Sequence, residues 1–432
     1  MYFKINVGWE YLVVLTANKC YIHHLTSLYT PIIIDSNDFH NSSNIYLTEK
    51  YLLIYDLMAN VLIYSYDGTL FLNSHNSSNR TFAFFPKTLS ICNDCVACRD
   101  STDEKIVHIS DFVSTRSFND HTKNFTHASG IIHLELSNLQ LENSQQLAYL
   151  DRNNNLFAIF FSLYSSDMFY PVKLGNFVGG FMWHKEFPIL AAIQEGILTI
   201  WFNPMFLSID KDIFPLTKQY FLDFIISNNP EILEFSENNC LVRNSDGSVT
   251  SVYISSKILT LHSYISTKRW EDCIRLCRVV GTKFLWSCLA CSASSQGNIL
   301  VSEVAYSALN AIDKVEVWTH IRKYNNPEIG NANLSMFCQK VTQAESIYLQ
   351  GGYIFKAIEV NLMAFNWDRA ISFAIKYQTH IDTCIALRMK FIDSLSLIEN
   401  RKKFKQFADI EVDWKKILVK LKSEEEYFLS KS

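Results

Sequence analysis

The chain has 432 residues, 48% of them hydrophobic and 14% aromatic, which is enough apolar surface for two large cores and too much for a disordered segment. Its 39 basic and 43 acidic residues give a net charge of -4 and are spread along the sequence, so no basic stripe offers the counterion release that drives nucleic-acid binding. No run approaches the roughly 18 uncharged apolar residues of a membrane span, and residues 1–10 lack the apolar core of a signal peptide.

Residues 1–258 read as β structure. Tight turns fall near Asn18-Lys19, Met58-Ala59, Thr102-Asp103, Asn153-Asn154, Glu195-Gly196 and Asp246-Gly247, at intervals of roughly 40 to 50 residues, the repeat length of a propeller blade. Each joins two short runs rich in Val, Ile, Leu, Phe and Tyr. Tyr11–Leu15 meets Cys20–His23, and Gln146–Leu150 meets Leu156–Phe160. Cys240–Arg243 meets Val249–Tyr253 across Asn244-Ser245-Asp246-Gly247, where Asp-Gly supplies the positive φ of a tight hairpin. A second Asp-Gly turn, Tyr66-Asp67-Gly68, joins Val61–Tyr64 to Thr69–Phe71.

Such hairpins bury a face only by stacking on one another, as blades do. The expectation is a WD-repeat-like β-propeller of about six to seven blades, open if no seventh exists. The Trp-Asp dipeptide of common blades is absent, and Met182-Trp183-His184 and Ile200-Trp201-Phe202 are the nearest aromatic markers. A β-sandwich competes, but its turns recur every 8 to 12 residues or so without a superposed long period.

From residue 259 to 432 the apolar spacing becomes helical. Trp270, Ile274 and Cys277 share one face, as do Trp367, Ile371 and Ala374; the segments Arg269–Leu276 and Asn366–Phe373 repeat each other. Their spacing is near three helical hairpins of about 34 residues, the tetratricopeptide length, so a tetratricopeptide-like α-solenoid is expected. Ser266 or Thr267 is placed to cap the first of these helices, and Asn366 or a neighbouring polar residue the second, with acidic residues in the opening turns. Further helices cover Ile299–Leu309 and Lys340–Leu349, punctuated by Gly297, Pro327, Gly330 and Gly351-Gly352. A last helix, Val412–Lys422, has a narrow apolar stripe and reads as a solvated cap before Glu424-Glu425-Glu426.

The strongest chemical signal is Cys92-x-x-Cys95-x-x-Cys98, a spacing used in iron–sulfur and zinc sites. The segment reads as strand or strand-turn; on one extended strand Cys95 faces away from Cys92 and Cys98, so the three thiolates do not converge without a bend and buried core cysteines are expected, with His108 lying downstream. Cys273/Cys277 and Cys288/Cys291 fall on helices and take the same reading. The pair His23-His24 points to opposite strand faces. No phosphate-binding glycine loop, nucleophile elbow or metalloprotease motif occurs, so no catalytic, cofactor or metal residue is assigned. Trp270 and Trp367 are read as repeat core in preference to interface anchors. Eleven cysteines, an odd number, are expected as reduced thiols, and the sequons at Asn41, Asn76, Asn79, Asn124 and Asn333 as chance products of an Asn/Ser-rich composition.

At the junction the residues become specific. Leu261–Arg278, Ala311–Val315, Asn366–Ala370, His380–Thr383 and Val412–Ile417, with Tyr29–Asp35, Asp103–Val107 and Leu198–Pro204 in the first half, resemble in order the intraflagellar transport protein 80 family. The resemblance implies a scaffold subunit, not an enzyme, in the peripheral part of the intraflagellar transport B complex, which moves cargo along axonemal microtubules and supports cilium assembly. It further implies contacts with other B-complex subunits, including a calponin-homology-domain subunit. It places the protein in the cilium, at axoneme and basal body, and in the cytoplasm, with no cofactor, nucleic acid or membrane insertion.

Family members have two propellers before the helical extension, and the match begins inside the second. A longer natural product carrying the first propeller is therefore expected, with an unpaired sheet edge near residue 1 in this chain. The Cys92 cluster stands where the family pattern has other small or apolar residues. A propeller-plus-solenoid subunit of a vesicle coat is the alternative of the same architecture. An enzyme would need a titratable cluster around the central channel, which the sequence does not reveal.

Overall fold

The computed structural model describes residues 4–36, 39, 42–56, 61–73, 87–111, 122–138, 145–162, 171–221, 230–323, 326–396, 399–406 and 413–431. It divides into two compact units, Met1–Met205 with Lys218–His262, and Phe206–Thr217 with Ser263–Ser432.

The first unit holds six antiparallel sheets among the described residues. Strands β1 (Lys4–Gly8), β2 (Tyr11–Leu15), β3 (Lys19–His24) and β4 (Ser27–Asp35) form the first, and β5 (Ser42–Leu47), β6 (Tyr51–Asp56), β7 (Val61–Ser65) and β8 (Leu70–Asn73) the second. The third comprises β9 (Leu89–Ile91), β10 (Cys95–Arg99), β11 (Ile106–Asp111) and β12 (Thr122–Thr126); the fourth β13 (Ile131–Leu136), β14 (Gln145–Asp151), β15 (Leu156–Phe161) and β16 (Val172–Gly175). The fifth comprises β17 (Val178–Trp183), β18 (Leu190–Gln194), β19 (Ile197–Trp201) and β20 (Lys218–Phe221), and the sixth β21 (Glu231–Ser236), β22 (Asn239–Arg243) and β23 (Val249–Tyr253). Five of the six periodic turns expected from the sequence are second-to-third-strand hairpins, each in its own sheet; the Asp67-Gly68 turn joins the third and fourth strands of the second sheet, and Met58-Ala59 lies outside the described residues.

The hairpins form where turn chemistry permits. Gly247 and Gly68 take φ of +84°, each donating its N–H back across the turn, to Asn244 and Ser65 at 3.0 Å. Sheets then bury their faces on one another. Leu53, Val61 and Ile63 meet Leu89, Val96 and Cys98 between the second and third, and Cys92, Cys95 and Ile109 meet Leu134, Leu147 and Tyr149 between the third and fourth. First strands carry a recurrent bulge, with register shifts at Ser42/Asn44, Ile131/His133, Val178/Gly180 and Ile232/Glu234. A bulge at the same place in four blades re-aims the following side chains alike.

Among the described residues the sheets do not close a ring: the sixth sheet has three strands with β23 at its edge, and no core cluster joins it to the first sheet. In that first sheet Ile5 and Val7 on β1 are 65% and 57% exposed.

Helices in chain order are α1 (Phe206–Ile209), α2 (Ser256–Ser266), α3 (Trp270–Val280), α4 (Lys283–Ser295), α5 (Ile299–Ala308), α6 (Ile312–Arg322) and α7 (Pro327–Phe337). Then come α8 (Val341–Gln350), α9 (Ile354–Met363), α10 (Trp367–Tyr377), α11 (Ile381–Ser394), α12 (Lys402–Lys405) and α13 (Trp414–Lys431). Several of the described helix connections share one device. A residue at positive φ ends the helix, and the next N–H bonds to the carbonyl five residues back, as in Asn298 to Ala293, Ala311 to Tyr306, Lys340 to Ser335, Tyr353 to Tyr348 and Asn366 to Asn361, all at 2.8 to 3.1 Å.

That device corrects the expected caps. Asn366 does precede α10, but its side chain makes no cap bond because its backbone N–H closes the turn before it; α3 begins after Arg269, and Ser266 and Thr267 hydroxyls donate to the Ser263 carbonyl at the end of α2. Gly330 lies inside α7 and is no punctuation, whereas Pro327 opens that helix where its missing N–H costs nothing. The last helix runs through Glu424-Glu425-Glu426 to Lys431 and is anchored, not merely solvated: Phe428 is 4% exposed and packs on Tyr348, Ala357 and Val360. Its expected start at Val412 lies outside the described residues.

Candidate functional site

First strands from the second to the sixth sheet surround a cavity of about 580 Å³. Tyr46, Lys87, Ser90, His133, Glu135, Asn138 and Glu231 are its polar lining. Lys87 reaches Glu231 at 3.4 Å, and Arg243 bonds the same carboxylate at 2.6 Å, so Glu231 is neutralised. Burial pushes Glu135 up to about 8, against a hydrogen bond from the Trp183 backbone; burial and the charge of Lys87 press His133 down to about 4. The channel therefore presents a neutral acid and a neutral imidazole at pH 7, groups suited to hydrogen-bonding an uncharged polar partner.

Sequence reasoning missed these residues. The available signal was the alternation His133-Leu134-Glu135-Leu136, two polar residues at period two whose apolar neighbours Leu134 and Leu136 are both 2% exposed.

The cysteine cluster is placed differently from the extended-strand expectation. Asn93-Asp94 makes a hairpin turn between β9 and β10, so Cys92 and Cys95 oppose each other, with sulfurs 3.3 Å apart, while Cys98 turns into the neighbouring core with Leu53 and Leu89. His108 opposes Cys98 but its ring is spent on Asp100 at 2.7 Å and Asn124 at 2.6 Å. All eleven cysteines are buried thiols. Among the described residues no group of three or more His, Cys, Asp or Glu is arranged to hold a metal. Purified, tag-free protein is expected to carry no stoichiometric metal; elemental analysis finding about one zinc per chain, or iron with acid-labile sulfide, would overturn this.

Other histidines serve packing. His23 contacts the Leu28 carbonyl at 2.8 Å and His24 the Thr26 hydroxyl at 2.7 Å. His262 stacks on Phe202 with ring centroids 3.7 Å apart, its Nε2 on the Phe202 carbonyl at 3.0 Å, and burial pushes it down to about 3. Between that value and the ordinary 6.5, the unfolded chain binds a proton that the folded chain refuses. The associated stability is present above pH 6.5 and is lost as the pH falls toward 3. His262→Phe is expected to flatten this acid loss, by at most roughly 1.4 kcal/mol per pH unit. Denaturant midpoints from pH 7 to 4 read it, and an unchanged slope would show that His262 titrates normally.

In the helical unit, Trp367 is 5% exposed within a core that includes Ile371 and Ala374, which matches the repeat-core reading. Trp270 is half-buried and lines an open cleft with Gln296, Gly297 and Leu300, leaving Cys273 and Cys277 as the buried face of α3. One enclosed charge is Asp210, in the segment after α1. It takes Lys314 on both oxygens and the Tyr306 hydroxyl at 3.1 Å; burial works against the charge on Lys314, and Asp210 outweighs it, holding the amine above its ordinary value.

With this geometry in view, a family model described as the IFT80 second beta-propeller matches residues 2–257, the span of the six sheets. The chain belongs to the intraflagellar transport protein 80 family. A model described as the IFT80/172/WDR35/WDR19 TPR domain matches residues 285–428 of this family member, covering α5 to α12 entirely. Intraflagellar transport protein 80 homologs of Mus musculus and Rattus norvegicus are each 32% identical over 98% of the chain and 54% of their own length. The chain thus spans about half the length of the curated relatives it matches. The solved structure of Kluyveromyces lactis Hsv2p overlays 56% of this chain and 76% of its own at 11% identity, with a TM-score of 0.36. No described helix is long and apolar enough to cross a membrane.

Proposed function

We propose that this chain acts as a non-enzymatic scaffold in the intraflagellar transport B complex, supporting cilium assembly and cargo transport along axonemal microtubules through protein contacts. The observation that carries the reading is the ordered match of both parts, the propeller to the model of the IFT80 second beta-propeller and the helical array to a TPR-domain model shared by IFT80 with IFT172, WDR35 and WDR19. Both architectures offer broad surfaces made of stacked repeats, the form that suits simultaneous partners. On this reading the protein resides in the cilium, at axoneme and basal body, and in the cytoplasm. Its partners are other B-complex subunits, including one with a calponin-homology domain. Residues 1–258 supply the propeller surface and residues 259–432 the helical one.

Affinity purification of the tagged chain from ciliated cells, with bound proteins identified by mass spectrometry, tests this. Enrichment of B-complex subunits is expected. Recovery of vesicle-coat subunits in their place, with fractionation on Golgi membranes, would overturn it.

A further inference from the structure

Two thiols differ from the rest in geometry. Cys92 and Cys95 flank the Asn93-Asp94 turn, the Cys92 N–H donating to the Cys95 carbonyl at 2.9 Å and the ladder continuing with Ile91 opposite Val96. Their sulfurs lie 3.3 Å apart, and Cys92 Sγ also accepts the Cys95 backbone N–H at 3.4 Å. Directly opposed residues on a hydrogen-bonded antiparallel pair have Cα atoms about 5.5 Å apart, within the span a disulfide bridges. Both sulfurs are buried, but the turn residues above them are half-exposed, so opening this one turn admits a small reagent.

We propose that Cys92 and Cys95 form a reversible intramolecular disulfide by thiol–disulfide exchange with a low-molecular-weight disulfide. Cys92 is the attacking group. Its hydrogen bond from the Cys95 side chain opposes burial and, with backbone donors at Asp94 and Cys95, keeps its thiol below the ordinary value, while the same bond and burial push Cys95 well up. The Cys92 thiolate attacks one sulfur of the oxidant, whose S–S bond breaks and releases one thiolate. Cys95 then gives up its proton to solvent and attacks Cys92 Sγ, expelling the second thiolate. Two protein thiols are oxidised, one small disulfide is reduced to two thiols, and the two protons end on those products.

Spacing alone does not confer this. Cys288 and Cys291 share it on α4, where burial raises both thiols, and Cys98 faces the other side of its strand among Leu53, Leu89 and Val96.

The folded, full chain is equilibrated in glutathione buffers of rising oxidised-to-reduced ratio, quenched in acid, unfolded, alkylated and mapped. The peptide holding Cys92 and Cys95 is expected to lose two hydrogens and the alkyl label as the ratio rises, with Cys98, Cys288 and Cys291 labelled throughout. Cys95→Ser is expected to trap glutathione on Cys92, and Cys92→Ser to abolish both products. Full labelling of Cys92 and Cys95 in the most oxidising buffer, where the unfolded chain does oxidise, would overturn the proposal. A bridge from either to Cys98 would overturn it equally.

Discussion

Lys314→Ala is expected to destabilise the helical unit by about 3 to 5 kcal/mol, because it strands a carboxylate that is buried with its cation. Asp210 is 4% exposed and Lys314 covers both its oxygens, with Asp212 3.2 Å from the same amine. Removing the lysine leaves Asp210 with the Tyr306 hydroxyl at 3.1 Å and the backbone N–H groups of Asp212 and Ile213 at 3.0 and 3.2 Å, neutral donors that do not replace an ammonium. The lost pair differs from an exposed one, whose removal costs about 1 kcal/mol or less.

A second variant separates charge from packing. Lys314→Met combined with Asp210→Asn keeps an acceptor for Tyr306 and removes both charges, so most of the loss should be recovered. Urea midpoints measure the effect, and hydrogen exchange over 206–217 locates it. If Lys314→Ala melts like the parent, Asp210 is solvated in solution and the enclosed pair is not what holds this segment. If the double variant is as unstable as the single one, the lysine stem and not its charge carries the contact.

What the sequence made legible follows from which forces act locally. The shift from period two to helical period near residue 258 survives into the structure because both periods are set by which residues each element buries. The turns were readable where Gly or Asn stands at positive φ, as at Gly68, Gly196 and Gly247. Helix ends were readable at Gly297 and Gly352 but not elsewhere, because Lys268, Asn310, Gln339, Phe365 and Gln378 also take positive φ, and most of these residue types do not advertise it. Their left-handed conformation is stabilised by the turn's own hydrogen bonds and the packing of the next helix, a cost met by tertiary structure that no local pattern shows.

The channel and the cysteine pair were missed for different reasons. Which strand faces the channel is decided by packing between blades, and the bulge that re-aims His133 and Glu135 is a register event without a residue signature. At Cys92 the signal was present, since Asn93-Asp94 is a favoured turn pair; treating the segment as one extended strand put Cys95 on the wrong face. The segment 206–217 was illegible in a third way. Twelve residues with two short turns of helix bury Phe206, Ile209, Asp210, Ile213 and Phe214 only in the presence of helices far along the chain.

Trp367→Ala is expected to cost about 3 to 5 kcal/mol, the usual result of deleting a buried indole and leaving its cavity. The ring lies against Phe391 at 5.3 Å and Phe365 at 6.0 Å, and Arg388 sits over its face at 5.1 Å while pairing with Glu399 at 2.9 Å. The substitution therefore removes apolar burial, two aromatic contacts and the platform that orders Arg388, so the loss belongs at the upper part of that range. In a stack of repeats each unit is stabilised by itself and its neighbours, so hydrogen exchange should rise through α9, α10 and α11 and stay unchanged in the six sheets. Trp367→Phe retains the aromatic contacts with a smaller ring and should lose less than half as much. Melting of the alanine variant at the parental midpoint would place Trp367 on the surface in solution, where it could anchor a partner; a loss spread evenly over the sheets would show that the array does not unfold as a unit of its own.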